Sequence, residues 1–346
     1  MPEERAVTRT GRLLTALALT ACVLGAALAW LLLFYKAPPV DPAWALDGSQ
    51  EIPEGAVIVR FTGTSTLLFS DGETSWMVDG WFSRPGPLSL LFGKIAPDPE
   101  AIEQGLAANK VTELAAVFVM HSHYDHAMDA PEVARRTGAV LLGSESTANI
   151  GRGWGLPASQ IQVVADRAPF QLGQFVITPI VSRHFEFPDP EFRERALGDP
   201  LIARPLVPPV AAFDYRLGIP YVLHVSHPRG SWLVVGSAGY EEGALEGLQA
   251  DTVFLGVGGL GSQTADYRQA FWRETVGRVA PSRVIPIHYD SLTAPAEGPF
   301  RGPSNAEAFL AGGLENTRLF LEQMAAENPS LRFNTLPRFD EVVLYD

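Results

Sequence analysis

A chain of 346 residues, 47% of them hydrophobic and 19% charged, is long enough to bury a large core and too apolar to be disordered. Its 39 acidic against 26 basic side chains give a formal net charge of −13, which argues against nucleic acid as a partner. A single cysteine excludes intrachain disulfides and cysteine-type zinc sites.

The first element is residues 13–35, "LLTALALTACVLGAALAWLLLFY", an apolar run without a charge. At about 1.5 Å per residue it would span the roughly 30 Å hydrocarbon core of a bilayer as a helix. Arg5, Arg9 and Arg12 precede it and only Lys36 follows closely. The positive-inside rule therefore places residues 1–12 in the cytoplasm and the rest of the chain beyond the membrane. A signal peptide would have a shorter apolar core and a small-x-small cleavage site, whereas "ALA" at 27–29 is followed by "WLLLFY". Cys22 in "LTAC" resembles a lipoprotein box, yet apolar residues continue where a polar tether would begin. An uncleaved anchor is expected. The Pro-rich stretch 36–55 then reads as a linker lifting a domain, 56–346, off the membrane.

Residues 56–80 show two β-rich runs joined by the turn "SDGET". Asp98 and Pro99 predict an N-cap and first turn for a helix with Ile102 and Leu106 on one face. Residues 113–120 read as a buried strand, and Asp129 with Glu132 as a capping box opening the helix that follows. Further strands are expected at 139–143, 174–182, 221–227, 231–237, 251–257 and 283–289, with helices within 262–278 and 304–326. This alternation suggests a layered α/β domain with mixed sheets. The segment 185–215, with prolines at 188, 190, 200, 205, 208 and 209, interrupts it and reads as a lid-like insertion.

The chemistry concentrates in "HSHYDH", residues 121–126, which places three of the seven histidines beside an aspartate. His121 and His123, two apart on an extended segment, point to the same side, and Asp125 and His126 follow on a turn. Neutral imidazole and carboxylate are the N and O ligands that a zinc-like ion accepts. A set of solvated loop histidines is the bland alternative, and so dense a cluster in a histidine-poor chain argues against it. Elsewhere, His224 within a strand and His227 before Pro228 are explained by packing and by exposure, and Tyr124 could touch substrate or simply pack. "GVGGLG" (256–261) satisfies GxGxxG between a strand and a helix, the context of a nucleotide-binding oxidoreductase. No further βαβ units complete such a fold, so a Gly-rich turn passing near the metal centre is the better reading.

"HSHYDH" matches the HxHxDH pattern of the metallo-β-lactamase-fold hydrolase superfamily, with His184 in "SRHFE" and His288 in "IHYD" at suitable intervals. "FTGTSTLLFSDGETSWMVDGWFSRPG" resembles the first strands of the branch holding ascorbate-lactonase-like and N-acyl-phosphatidylethanolamine phospholipase D-like members, with Asp79 closing the third strand. The resemblance implies an αββα sandwich of two mixed sheets flanked by helices, here preceded by one transmembrane helix. It implies that His121, His123 and His184 hold a first metal, and Asp125, His126 and His288 a second. Zinc is the expected metal, with manganese or iron left open. The family's bridging Asp is replaced by Ser237 after Gly236, so a water or hydroxide is the only evident bridge.

The resulting expectation is a membrane-anchored hydrolase acting on an ester, lactone, amide or phosphodiester, with Asp125 orienting the nucleophile. The anchor and the insertion point to a small-molecule or lipid-like substrate. A non-catalytic binding or assembly module, motivated by Ser237, is the alternative. The nucleotide-binding oxidoreductase is the third reading.

Overall fold

A computed structural model describes residues 2–48 and 51–346. The strands are β1 (Val57–Gly63), β2 (Thr66–Ser70), β3 (Ser75–Val78), β4 (Ala116–Phe118), β5 (Val140–Gly143) and β6 (Ile161–Val163), then β7 (Phe170–Leu172), β8 (Phe175–Val181), β9 (Tyr221–His227), β10 (Gly230–Val235), β11 (Thr252–Gly256), β12 (Arg283–Ile287) and β13 (Arg332–Phe333), and finally β14 (Val342–Tyr345). They form two seven-stranded sheets, ordered β14-β1-β2-β3-β4-β5-β6 and β13-β12-β11-β10-β9-β8-β7. In each, an antiparallel meander passes into parallel strands, at β3–β4 in the first sheet and β10–β11 in the second. Parallel neighbours require crossovers, and these supply the flanking helices.

The alternation of the strands shows how the layers stack. Phe69, Trp76 and Phe118 point between the sheets, while their neighbours Leu68, Met77 and Val117 join a second cluster with Ile102, Leu106, Val133 and Ile150 from the helices outside. Between the sheets, the Phe69 ring lies 5.0 Å from Trp76 and 5.1 Å from Trp232, and Phe175 lies 5.9 Å from Trp232. Such wide aromatic faces dominate the burial that holds two sheets together. Phe271, Phe320 and Leu321 of the later helices complete the core with the second sheet. The αββα sandwich expected from the sequence is the observed architecture.

Several local expectations are corrected. The first β-rich run is two strands, because Gly63 (φ 130°) and Thr64 (φ 54°) turn the chain between β1 and β2. Asp98 does cap its helix as expected, accepting from the N–H groups of Glu100 and Ala101. Asp129 and Glu132 do not form a capping box. The Asp129 carboxylate instead accepts from Phe82 N, Ser83 N and Ser83 Oγ, and Glu132 accepts from Arg135, Arg136 and Trp154. The 185–215 segment carries a helix, Pro190–Leu197, and buries Ile202, Ala212 and Tyr215 against the outer face of the first sheet.

The N-terminal helix runs Pro2–Leu33, and Gly11–Leu33 is long and apolar enough to cross a membrane. It ends two residues before the apolar run does, since Tyr35 leaves it to form a β-bridge with Ser304. The Pro-rich stretch beyond does not hold the domain away. Lys36 pairs with Pro303 and Gly302, Val40 is buried, and Trp44 and Leu46 exchange backbone hydrogen bonds with Thr335. Extended proline-containing backbone keeps its carbonyls free, and here they find partners on the domain. Residues 49 and 50 of that stretch lie outside the described residues.

Candidate metal centre

The six candidate ligands leave the scaffold at the ends of three strands. Beyond β4, Met120 N donates to Asp79 Oδ1 at 2.8 Å, and Asp79 N donates to Phe118 O, so the ends of β3 and β4 are cross-tied. His121 follows directly, and His123 starts a one-turn helix, Tyr124–Ala127, that carries Asp125 and His126. His184 lies just after β8, and His288 is the first residue after β12. Asp79 (φ 59°) and His288 (φ 57°) both occupy the left-handed region that non-glycine residues rarely adopt, a strain that clusters at functional sites.

Two triads result. One ligand atom from each of His121, His123 and His184 lies within 4.8 Å of the others, and the same holds for Asp125, His126 and His288. In the first, His121 Nε2 is 3.1 Å from His123 Nδ1. In the second, His288 Nε2 is 3.2 Å from Asp125 Oδ2 and 3.3 Å from His126 Nε2. The His121 and His126 rings, 3.8 Å apart, join the triads into one centre.

The outer hydrogen bonds decide which nitrogen faces inward. A carbonyl can only accept, so His123 donates Nε2–H to Ala196 O (3.2 Å) and His184 donates Nδ1–H to Phe185 O (2.8 Å). The lone pairs of His123 Nδ1 and His184 Nε2 are left for the centre. His126 Nδ1 lies 2.7 Å from Asp79 Oδ2, which leaves Nε2 for the second triad, and Ser65 Oγ touches both partners. This is the outer support that fixes imidazole ligands in metal sites. Ser65 carries no sequence signal for this role, being one of many hydroxyls in turns.

Burial pushes His121 well below the ordinary histidine value and His123 below it as well, and burial with the nearby His123 takes His184 to about 3. These rings are therefore neutral, the form that binds metal. Burial alone would push Asp125 up, but His126 and His288 outweigh it and hold the carboxyl well below the usual range. For His126 burial acts downward and is outweighed by Asp79 and Asp125, which raise it.

Backbone without side chains makes room for the ligands. A Cβ on Gly258 would lie 2.6 Å from His288 Nδ1, and one on Gly239 would lie 2.0 Å from Arg183 O beside His184. The "GVGGLG" turn is thus filled by His288, and by Phe185, whose ring packs over Gly259, which leaves no cradle for a pyrophosphate. Ser237 lines a small cavity with His121 and Ser182, and its Oγ is buried without a hydrogen-bond partner. His224 bonds Gln249 O and stays outside the centre. His227 is not a surface group, since its ring is tucked between Asp71 and Phe175. Tyr124 packs edge-on against Trp81, its ring centroid 6.0 Å away.

No family model matches the chain. A UPF0173 metal-dependent hydrolase of Anaeromyxobacter dehalogenans (strain 2CP-C) is 36% identical over 72 residues, 20% of this chain and 26% of that protein. The chain thus spans about a quarter of the length of the curated relatives it matches. Among solved structures, an isothiocyanate hydrolase from Delia radicum gut bacteria aligns over 84% of this chain and 100% of its own, with a TM-score of 0.50 at 13% identity. Igni18, a metallo hydrolase of the archaeon Ignicoccus hospitalis, aligns over 83% of this chain and 97% of its own, with a TM-score of 0.48 at 14% identity. In its two-sheet architecture and in the order of its histidines and aspartates, the chain resembles the metallo-β-lactamase-fold metallohydrolases.

Proposed function

We propose that this protein is a membrane-anchored, metal-dependent hydrolase acting on an ester, lactone, amide or phosphodiester. The carrying observation is the convergence of six N and O donors from three strand ends, with outer hydrogen bonds turning their lone pairs inward. His121, His123 and His184 are assigned to a first ion, and Asp125, His126 and His288 to a second. The donor set fits zinc and also suits manganese or iron. When bound, such an ion supplies a polarising charge and acidifies a water toward neutral pH.

The chain's own groups do the positioning. Asp125, held ionised, is too weak a base to take a proton efficiently and serves to bind and to orient the attacking water by accepting its hydrogen bond. Asp79 fixes the His126 tautomer, and Ala196 O, from the insertion, fixes that of His123. The segment 185–215 therefore acts as a packed lid that both covers the first triad and orients one of its members.

The apolar helix supports the anchor. Its hydroxyls at Thr15 and Thr20 are satisfied by Gly11 O and Ala16 O within the helix, as a lipid environment demands. The upstream arginines orient residues 1–12 to the cytoplasm and the domain to the far side. Ser237 favours a second reading, a fold retained for binding or assembly without turnover. The full chain, purified in detergent and assayed on lactone, phosphodiester, ester and amide substrates with and without chelator, separates the two. Chelator-sensitive turnover of any one class supports the hydrolase. Metal bound without turnover of any class supports the binding module.

A further inference from the structure

The anchor and the metal centre are separated by very little structure. Asn305 Nδ2 donates to Trp30 O near the end of the N-terminal helix, and Asn305 N donates to Phe34 O. Two residues on, in the same short helix Asn305–Ala311, the Glu307 carboxylate accepts from Ser291 Oγ (2.7 Å) and Leu292 N (2.8 Å). Tyr35, where the chain leaves the membrane helix, donates its hydroxyl to Thr293 O. Residues 291–293 belong to the loop that begins with His288. The exit of the anchor is therefore bonded to the loop that carries a candidate ligand.

An apolar surface with no partner among the described residues lies on the helix Pro87–Phe92, whose Leu90 packs against the same buried cluster as Leu292 of that loop. That helix turns Leu90 inward and presents Leu88, Leu91 and Phe92, an i, i+3, i+4 set, to the outside at 54%, 44% and 85% exposure. Phe309, on the helix that holds the anchor, is 83% exposed. Lys94 follows the Pro87–Phe92 helix and is also exposed. An apolar helical face with a basic residue at its edge fits the headgroup–acyl boundary of a bilayer.

We infer that Leu88, Leu91, Phe92 and Phe309 insert into the surface of the same bilayer that Gly11–Leu33 spans. The domain is then held against the membrane by these side chains as well as by the spanning helix, close to the loop bearing His288 through Asn305 and Glu307. The occupant is lipid rather than a protein because the helix bearing Phe309 is bonded through Asn305 to the end of the apolar N-terminal helix, and because Lys94 at the edge of the Pro87–Phe92 face suits the headgroup layer. The inference rests on the anchor reading.

The test uses the full chain carrying Cys22→Ser, reconstituted in vesicles of phosphatidylcholine and phosphatidylglycerol. Phe92→Cys is labelled with an environment-sensitive fluorophore, and Leu319→Cys, an exposed position on another helix, serves as the control. At position 92 we expect a blue-shifted emission, quenched by a shallow lipid-borne spin label and protected from aqueous iodide. At position 319 we expect iodide quenching alone. A protein that floats with the vesicles while its position-92 label stays open to iodide overturns the inference and leaves the anchor intact. Shielding of position 92 from both quenchers, strengthening with protein concentration, overturns it in favour of a second copy. Failure to float with the vesicles refutes the anchor itself.

Discussion

Asp79 is fully buried, with one carboxylate oxygen on Met120 N and the other on His126 Nδ1. It is not itself a candidate ligand, and it acts through His126, whose tautomer it holds. Asp79→Asn keeps the shape and removes the charge, so it is expected to weaken the ion held by Asp125, His126 and His288 by about 10- to 100-fold. Titration against a competing chelator measures this, and an unchanged affinity would refute the positioning role. Ser237 offers the opposite experiment. Its hydroxyl is buried without a hydrogen-bond partner where the resemblance would put a bridging carboxylate. A carboxylate brings a full negative charge between two dications, whereas a serine hydroxyl stays protonated. Native protein should therefore hold its first ion firmly and its second loosely, and Ser237→Asp should tighten the second in the same titration. Two equally tight ions in the native protein would mean that another group supplies the bridge.

Turns and helices around the centre carry their own tests. Gly258→Ala leaves an acceptable backbone but places a methyl 2.6 Å from His288 Nδ1. The ring must then move, and the second ion should be lost by at least about tenfold while the circular dichroism spectrum stays native. On the helix Ala130–Thr137, burial would raise the Glu132 carboxyl, but hydrogen bonds from Arg135, Arg136 and Trp154 outweigh it and hold it at about 2. A carboxylate depressed in the folded state contributes stability above its unfolded value, here 4.5, and that contribution is lost as the pH falls from there toward 2. Glu132→Gln should lower Tm at pH 7 by an amount worth about 1–2 kcal/mol. Near pH 2 the gap to the native protein should close, which thermal melts across pH 2–7 would check.

The contrast between two aspartates shows what the sequence could reveal. Asp98 was legible as a cap because its partners, Glu100 and Ala101, lie only two and three residues on. Asp129 was not, because its partners at Phe82 and Ser83 lie more than forty positions upstream. The long interior strands announced themselves through runs of apolar residues. β6, β7 and β13, two or three residues each, exist because a neighbour offers an edge, and no periodicity marks them. The candidate ligands were legible because so few histidines remain elsewhere, whereas Ser65 depends on a turn that only the folded chain defines.

For the whole molecule, two sheets bring strand ends that are far apart in sequence to one edge, with the residues at 121–126, 184 and 288 meeting across more than 160 positions. The Pro-rich stretch packs along the domain instead of spacing it from the N-terminal helix, with Lys36, Trp44 and Leu46 bonded to it. The central claim is that this edge is a metal centre. It is tested most directly by the metal content of the full chain, purified without chelator and measured by plasma mass spectrometry beside His121→Ala and His288→Ala. The account predicts a divalent ion in the native protein, loss of the firmly held ion in His121→Ala, and retention of that ion in His288→Ala. Native protein that stays metal-free after incubation with zinc, manganese and iron(II), or that keeps its metal unchanged in both variants, would contradict it.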